Sequence, residues 1–278
     1  MREALPSGVP RRRPPASGGP LLRGVVLALV VVGSVPPVLL LAVWSVSGRW
    51  LYPALVPEAF TLDSWRAVAG GGALGAALAT SGGLALATGL GGAALALPIG
   101  RALARLRGWQ RHVGAAAAFL PVAVPPLALG TGLQVVALAA GVGGTVAGVL
   151  LAHLVPAVGY LSLLFLGAFT LYDARAEEAA RTLGATRWQT WWRVTLPVLR
   201  RPIAEAVAVG GLISWTQVAL TLVVGGGAVR TLPLEVFAYI RAGQDRAAAV
   251  GALLLIVPAT AALAALRWAV RRTAVLPA

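Results

Sequence analysis

Six apolar runs, each long enough to cross a bilayer, constrain this chain more than any other feature. They lie at roughly residues 24–46, 73–98, 113–140, 145–170, 203–226 and 247–268. About 20 apolar residues in a helix span the hydrocarbon core. Within lipid, backbone N–H and C=O groups must be satisfied inside the segment, which selects helices or closed barrels. Runs of this length and uniformity predict helices. The expected fold is therefore an all-α membrane protein with six transmembrane helices. Charged residues make up only 12% of the chain, against about 25% in a soluble domain.

Residues 1–20, rich in Pro, Gly and Arg, are expected to form a disordered cytoplasmic N-terminus. Residues 21–278 are expected to form one six-span domain. The first run is too long for a secretory signal and lacks a small-residue cleavage site, so it reads as an uncleaved anchor.

A net charge of +14 raises two possibilities, nucleic acid or arginine-rich loops on one side of a membrane. The distribution of arginines favours the second. With the N-terminus inside, 18 of the 23 basic residues, all arginines, fall in the tails and in the connections after spans two and four. Arg49, Arg66, Arg230, Arg241 and Arg246 fall outside. Both termini are thus expected in the cytoplasm of a multi-pass cell-membrane protein.

Residue types also remove whole classes of chemistry. The chain has no Lys, so it holds no standard phosphate-binding P-loop. It has no Cys, hence no disulfide or thiolate nucleophile. His112 and His153 are far apart, and no His/Asp/Glu cluster has metal-ligand spacing. No catalytic residues, metal site or cofactor are expected in this chain.

Two spans carry internal marks. Gly75, Ala79, Gly83, Ala87 and Gly91 recur every fourth residue in span two, an expected close-packing face in lipid. "LPVAVPPLALG" (120–130) puts three prolines into span three, predicting a kink or a break whose freed backbone groups need other partners. Several polar residues lie inside otherwise apolar runs: Thr131 and Gln134, His153 and Tyr160, and Ser214, Gln217 and Thr221. Such residues usually face the bundle interior. They are candidates for lining a passage, with interhelical hydrogen bonding as the alternative.

The connection after span four, about residues 171–202, is different in kind. It contains "EEAARTLGATRWQTWWRVTLP" (177–197). Asp173 is placed to cap a first short helix, with Glu177 and Glu178 in its early turns. Gly184 is expected to stop that helix in the left-handed conformation. Thr186 is expected to cap a second helix, "RWQTWWRV", ending before Leu196-Pro197. A DNA-reading helix-turn-helix needs a free second helix, but both ends here are tied to spans. A loop lying on the membrane accounts for Trp188, Trp191 and Trp192, but not for the Glu-Ala-Ala…Gly arrangement. A docking element for a cytoplasmic partner accounts for that arrangement, and the tryptophans are assigned to the membrane interface.

This stretch resembles the cytoplasmic loop of the integral-membrane permease subunits of binding-protein-dependent ABC importers. Glu178-Ala179-Ala180, Gly184, Val194 and Leu196-Pro197 match its spacing, with Val in place of Ile. "PVAVPPLALGTGL", "LAHLVPAVGY" and "TLPLEVFAYIRAGQDRAAAVGALLL" extend the likeness over roughly 58–268. The resemblance implies that Glu178, Ala179, Ala180, Gly184, Leu196 and Pro197 couple the spans to a separate cytoplasmic ATPase, which would bind ATP and Mg. It further implies a second permease subunit, identical or homologous, and an extracytoplasmic substrate-binding protein. The region after span five is most similar to permeases for polyamines, iron, thiamine and phosphonates, and names no one cargo. A secondary transporter or channel is the rival reading. It calls for intramembrane carboxylates, and the nine acidic residues lie in loops, tails or span ends.

Overall fold

The computed structural model describes residues 20–50 and 53–273. The tail expected over residues 1–20 lies outside the described residues except for Pro20. The chain is helical almost throughout. The described residues contain no strand, only an isolated bridge between Ser47 and Phe60.

The first run forms α1 (Pro20–Val46), followed by the short α2 (Asp63–Ala69) and the long α3 (Ala73–Arg105). Next come α4 (Gly108–Ala123), α5 (Pro126–Ala139) and α6 (Val146–Thr170). By length and composition α1, α3 and α6 are each able to cross a bilayer. The third run is not one kinked span but two helices, α4 and α5, bent by 93°. Pro121 is tolerated inside α4. The break falls at Val124 and Pro125, both extended, because a residue preceding proline avoids the helical region. Pro126 then starts α5, where its missing N–H costs nothing.

The fifth run is also reshaped. Helix begins well before residue 203, at α8 (Arg187–Thr190), passes through a π turn at Trp191–Thr195, and continues as α9 (Leu196–Trp215). Leu196-Pro197 therefore does not end the second short helix. In the widened turn the Leu196 N–H reaches back to the Trp191 carbonyl, and Pro197 sits in the first turn of the next helix. A 63° bend separates this stretch from α10 (Ala219–Gly225). At the bend the Thr216 hydroxyl bonds back to the Leu212 carbonyl at 3.1 Å, a back-bond that tends to bend helices. Counting each bent pair as one span gives five candidate spans among the described residues. The short α11 (Leu232–Arg241) and then α12 (Asp245–Thr273), which carries the sixth apolar run, complete the chain.

Three helices, α3, α6 and α9, form the centre. Ala93, Ala96, Leu161, Phe165 and Ala206 meet there in one buried cluster. The predicted small-residue face of α3 packs only in part: Gly75 lies against the Val68 carbonyl and Gly91 against Leu154. Ala79 and Gly83 are exposed, and the buried row is Ser81, Leu84, Thr88, Gly92 and Ala96 with their neighbours. Burial follows the position of α6 and α9, which every-fourth spacing alone does not fix, since α3 carries several small-residue rows. At Gly89 a Cβ would run into the Val207 carbonyl, and at Gly100 into Phe165. These two small residues permit the close approach of α3 to α9 and α6. By contrast α1 presents bare apolar side chains, with Leu29 68% exposed. Such a surface suits lipid or another membrane helix.

Candidate functional site

The connection between α6 and α9 folds around one carboxylate. Its first helix, α7, spans Arg175–Thr182. Asp173 does not sit at the N-cap, which is Ala174. Its carboxylate accepts from the Arg175 N–H at 3.0 Å and closes the turn just before the helix. Gly184 ends the helix with φ +87°, and a Cβ there would meet nothing within 4 Å. The requirement for glycine is thus one of backbone conformation alone. Thr186 opens α8 with a reciprocal capping box: its hydroxyl accepts from the Gln189 N–H, while the Gln189 side chain accepts from the Thr186 N–H.

The two neighbouring glutamates face different ways, as residues about 100° apart on a helix must. Glu178 is exposed, as are Ala179 and Gly184, and Ala180 is half-buried. Leu183, 88% exposed, extends this outward face. Leu196 is half-buried and Pro197 exposed. Glu177 turns inward. Its Oε2 pairs with Arg101 of α3 at 2.6 Å, and its Oε1 accepts from the Thr195 hydroxyl at 2.8 Å. The Arg101 guanidinium also lies over the Trp191 ring, 5.5 Å from its centroid. Burial pushes the Glu177 carboxyl up, but the Thr195 bond and the Arg101 charge outweigh it and hold it below the ordinary glutamate value. The Tyr172 hydroxyl is buried nearby outside strict hydrogen-bond geometry, and burial raises it above the usual phenol range.

This Arg101–Glu177–Thr195 anchor ties the loop to α3 and to the π turn. Sequence reasoning missed it. Its only trace was the doubled glutamate, one copy of which had no assigned task. Trp188 and Trp192 pack edge to face, 5.2 Å between centroids, on the exposed side.

The polar residues of the spans separate by burial. His153 is fully buried in α6, with Nδ1 2.9 Å from the Ser214 hydroxyl and Nε2 2.9 Å from the Thr221 hydroxyl. Thr221 donates its own proton to the Gln217 carbonyl at 3.0 Å. It then accepts from Nε2–H, and in a neutral ring Nδ1 accepts from Ser214. The result is one directed chain that joins α9 and α10 across their bend through a neutral imidazole. Thr131 on α5 and Tyr160 on α6 are exposed, while Gln134 and Gln217 are half-buried. The structure brings Ser214, Thr221 and His153 together but does not join Thr131, Gln134 or Tyr160 to them.

Several broken or unbroken candidate spans around a common centre, with a short exposed helix-turn-helix pinned to one of them, define a multi-pass membrane protein. The chain belongs to the family described as binding-protein-dependent transport system inner membrane component, which matches residues 96–275. The match begins within α3, later than the likeness expected from residue 58. The molybdenum transport system permease protein ModB of Mycobacterium tuberculosis is 30% identical over 184 residues, 61% of this chain and 70% of the relative. The sulfate transport system permease protein CysW of Synechococcus elongatus is 40% identical over 83 residues, 29% of each chain. The putrescine transport system permease protein PotI of Escherichia coli is 28% identical over 95 residues, 34% of each. Among solved structures, a chain of a bacterial alginate ABC transporter in complex with its alginate-bound periplasmic protein superposes with a TM-score of 0.66. It is 14% identical, over 87% of this chain and 91% of that one, a likeness of fold. The protein is a permease subunit of an ABC importer, a membrane component without a catalytic role of its own.

Proposed function

We propose that this permease has six spans with both termini in the cytoplasm, and that the α7–α8 loop is its coupling element. In this reading a partner ATPase binds and hydrolyses ATP. Glu178, Ala179 and Ala180 form the face that it grips, Gly184 sets the turn, and Leu196-Pro197 leads motion into α9. A second permease subunit completes the passage, and an extracytoplasmic binding protein delivers the solute. Closure of the ATPase shifts the spans between inward- and outward-facing states by its differential affinity for them. The observation that carries this reading is the division between Glu178, exposed, and Glu177, anchored to Arg101 and Thr195. A rigid connection between an exposed face and α3 is what transmits displacement.

Thr131, Gln134, Tyr160 and Gln217 are proposed to line the passage, since they are not fully enclosed within this chain. Their hydroxyl and amide groups can donate to an oxyanion. Among the relatives the molybdenum and sulfate permeases favour an anionic cargo and the putrescine permease a cationic one, so the class of cargo stays open in this reading. Gly184→Val tests the coupling role. Valine at φ +87° costs at least about 1–2 kcal/mol of local strain and should reshape the turn without disturbing the spans. The expected result is wild-type abundance with ATP hydrolysis uncoupled from uptake. Normal uptake at normal abundance would remove Gly184 from the coupling role.

A further inference from the structure

Beside the coupling anchor lies a cavity of about 420 Å3 whose chemistry the coupling role does not use. Arg101, Arg105, Arg181 and Arg187 converge on it, with Glu177 as its carboxylate and Trp191 on its wall. Four arginines against one carboxylate leave three positive charges uncompensated. Among the described residues, only Arg101 of the four is ion-paired. Like charges lining one cleft repel one another, and an anion bound between them relieves that repulsion.

We propose that this cleft binds a phosphate group, presented by the headgroup of an anionic membrane lipid. Guanidinium forks match phosphate oxygens two at a time, which gives a phosphate more to bind than a single carboxylate could use. Position selects the lipid. Arg101 and Arg105 lie at the C-terminal end of α3, a candidate span, which puts the cleft at the end of a span, the level at which headgroups are met. Trp188 and Trp192 are exposed on the same segment, as residues of the membrane interface are. Basic pockets at the ends of spans are known to take such headgroups. The bound phosphate shares Arg101 with the contact that anchors the loop, so lipid composition bears directly on how firmly the loop is held.

The test needs neither ATP nor a binding protein, so it is independent of the coupling role. The full-length permease is reconstituted in phosphatidylcholine with and without phosphatidylglycerol. Retained lipid is counted by native mass spectrometry, with soluble inorganic phosphate as a competitor. Wild type should retain phosphatidylglycerol over phosphatidylcholine. The variant R105Q/R181Q/R187Q should lose that preference by about tenfold or more. R200Q/R201Q, which removes two arginines of the same region outside the cleft, should keep it and serves as the folding and charge control. Displacement by millimolar-range inorganic phosphate, with no preference for phosphatidylglycerol, would keep the phosphate site but overturn its lipid source. Equal loss in both variants, or no preference in wild type, overturns the site.

Discussion

Glu177 makes the clearest prediction at the scale of single residues. Its carboxyl is held below the ordinary value of 4.5 because Thr195 and Arg101 outweigh the effect of burial. A carboxylate with a depressed pKa contributes stability that is fully present above its unfolded value and is lost as pH falls through the folded one. Amide exchange protection of residues 175–195 should therefore hold at neutral pH and weaken on acidification below about 4.5. In Glu177→Gln the same protection should be weaker at neutral pH and lose much of its pH dependence, since the titrating partner is gone. Removing a charged hydrogen-bond partner of this kind costs about 2 kcal/mol. An unchanged pH profile in Glu177→Gln would show that another group holds the loop. The motif spacing singled out Glu178, Ala179 and Gly184, which are exposed, with Gly184 in the left-handed conformation expected of it. It could not reveal the anchor, because Arg101 lies 76 residues from Glu177 and only the packing of the loop beneath α3 brings them together.

Among the elements, the apolar runs were legible and their interruptions only partly so. The prolines at 125 and 126 announced the α4–α5 break, because a missing N–H and a restricted preceding residue are properties of the sequence itself. The bend after Trp215 had no such punctuation. The helix is interrupted over residues 216–218, where Thr216 bonds back to Leu212, and the break is bridged by His153 through Ser214 and Thr221. The packing face of α3 was legible only in part for a related reason: several small-residue rows are available, and α6 and α9 choose between them. The imidazole bridge yields a prediction for these elements. His153→Leu keeps the volume roughly but leaves the buried Ser214 hydroxyl without its acceptor and Thr221 without its donor, at about 1–3 kcal/mol for each group left unsatisfied. The variant should insert yet melt several degrees lower in detergent, whereas His153→Gln, which can both donate and accept, should recover part of the loss. Equal melting temperatures for wild type and His153→Leu would mean that the bridge contributes nothing to the join between α9 and α10.

For the molecule as a whole, the question is how many times the chain crosses the membrane between Glu58 and Glu178, both exposed. Between them lie α3, the bent pair α4–α5, and α6. If the bent pair crosses as one broken span, there are three crossings, and the two residues lie on opposite sides. If α4 and α5 enter and leave by the same face, there are two crossings and the residues share a side. The arginine distribution favours the odd count, because it places the basic α3–α4 connection and the α7–α8 loop together, on the side that holds most arginines. The absence of cysteine makes single-cysteine variants clean probes of this parity. Glu58→Cys should react with a membrane-impermeant maleimide in intact cells. Glu178→Cys should react only after permeabilisation, and labelling should fall when the ATPase partner is bound over it. Labelling of both from the same side would make α4–α5 a re-entrant pair, reverse the orientation of everything that follows relative to α3, and put the coupling face out of reach of a cytoplasmic ATPase.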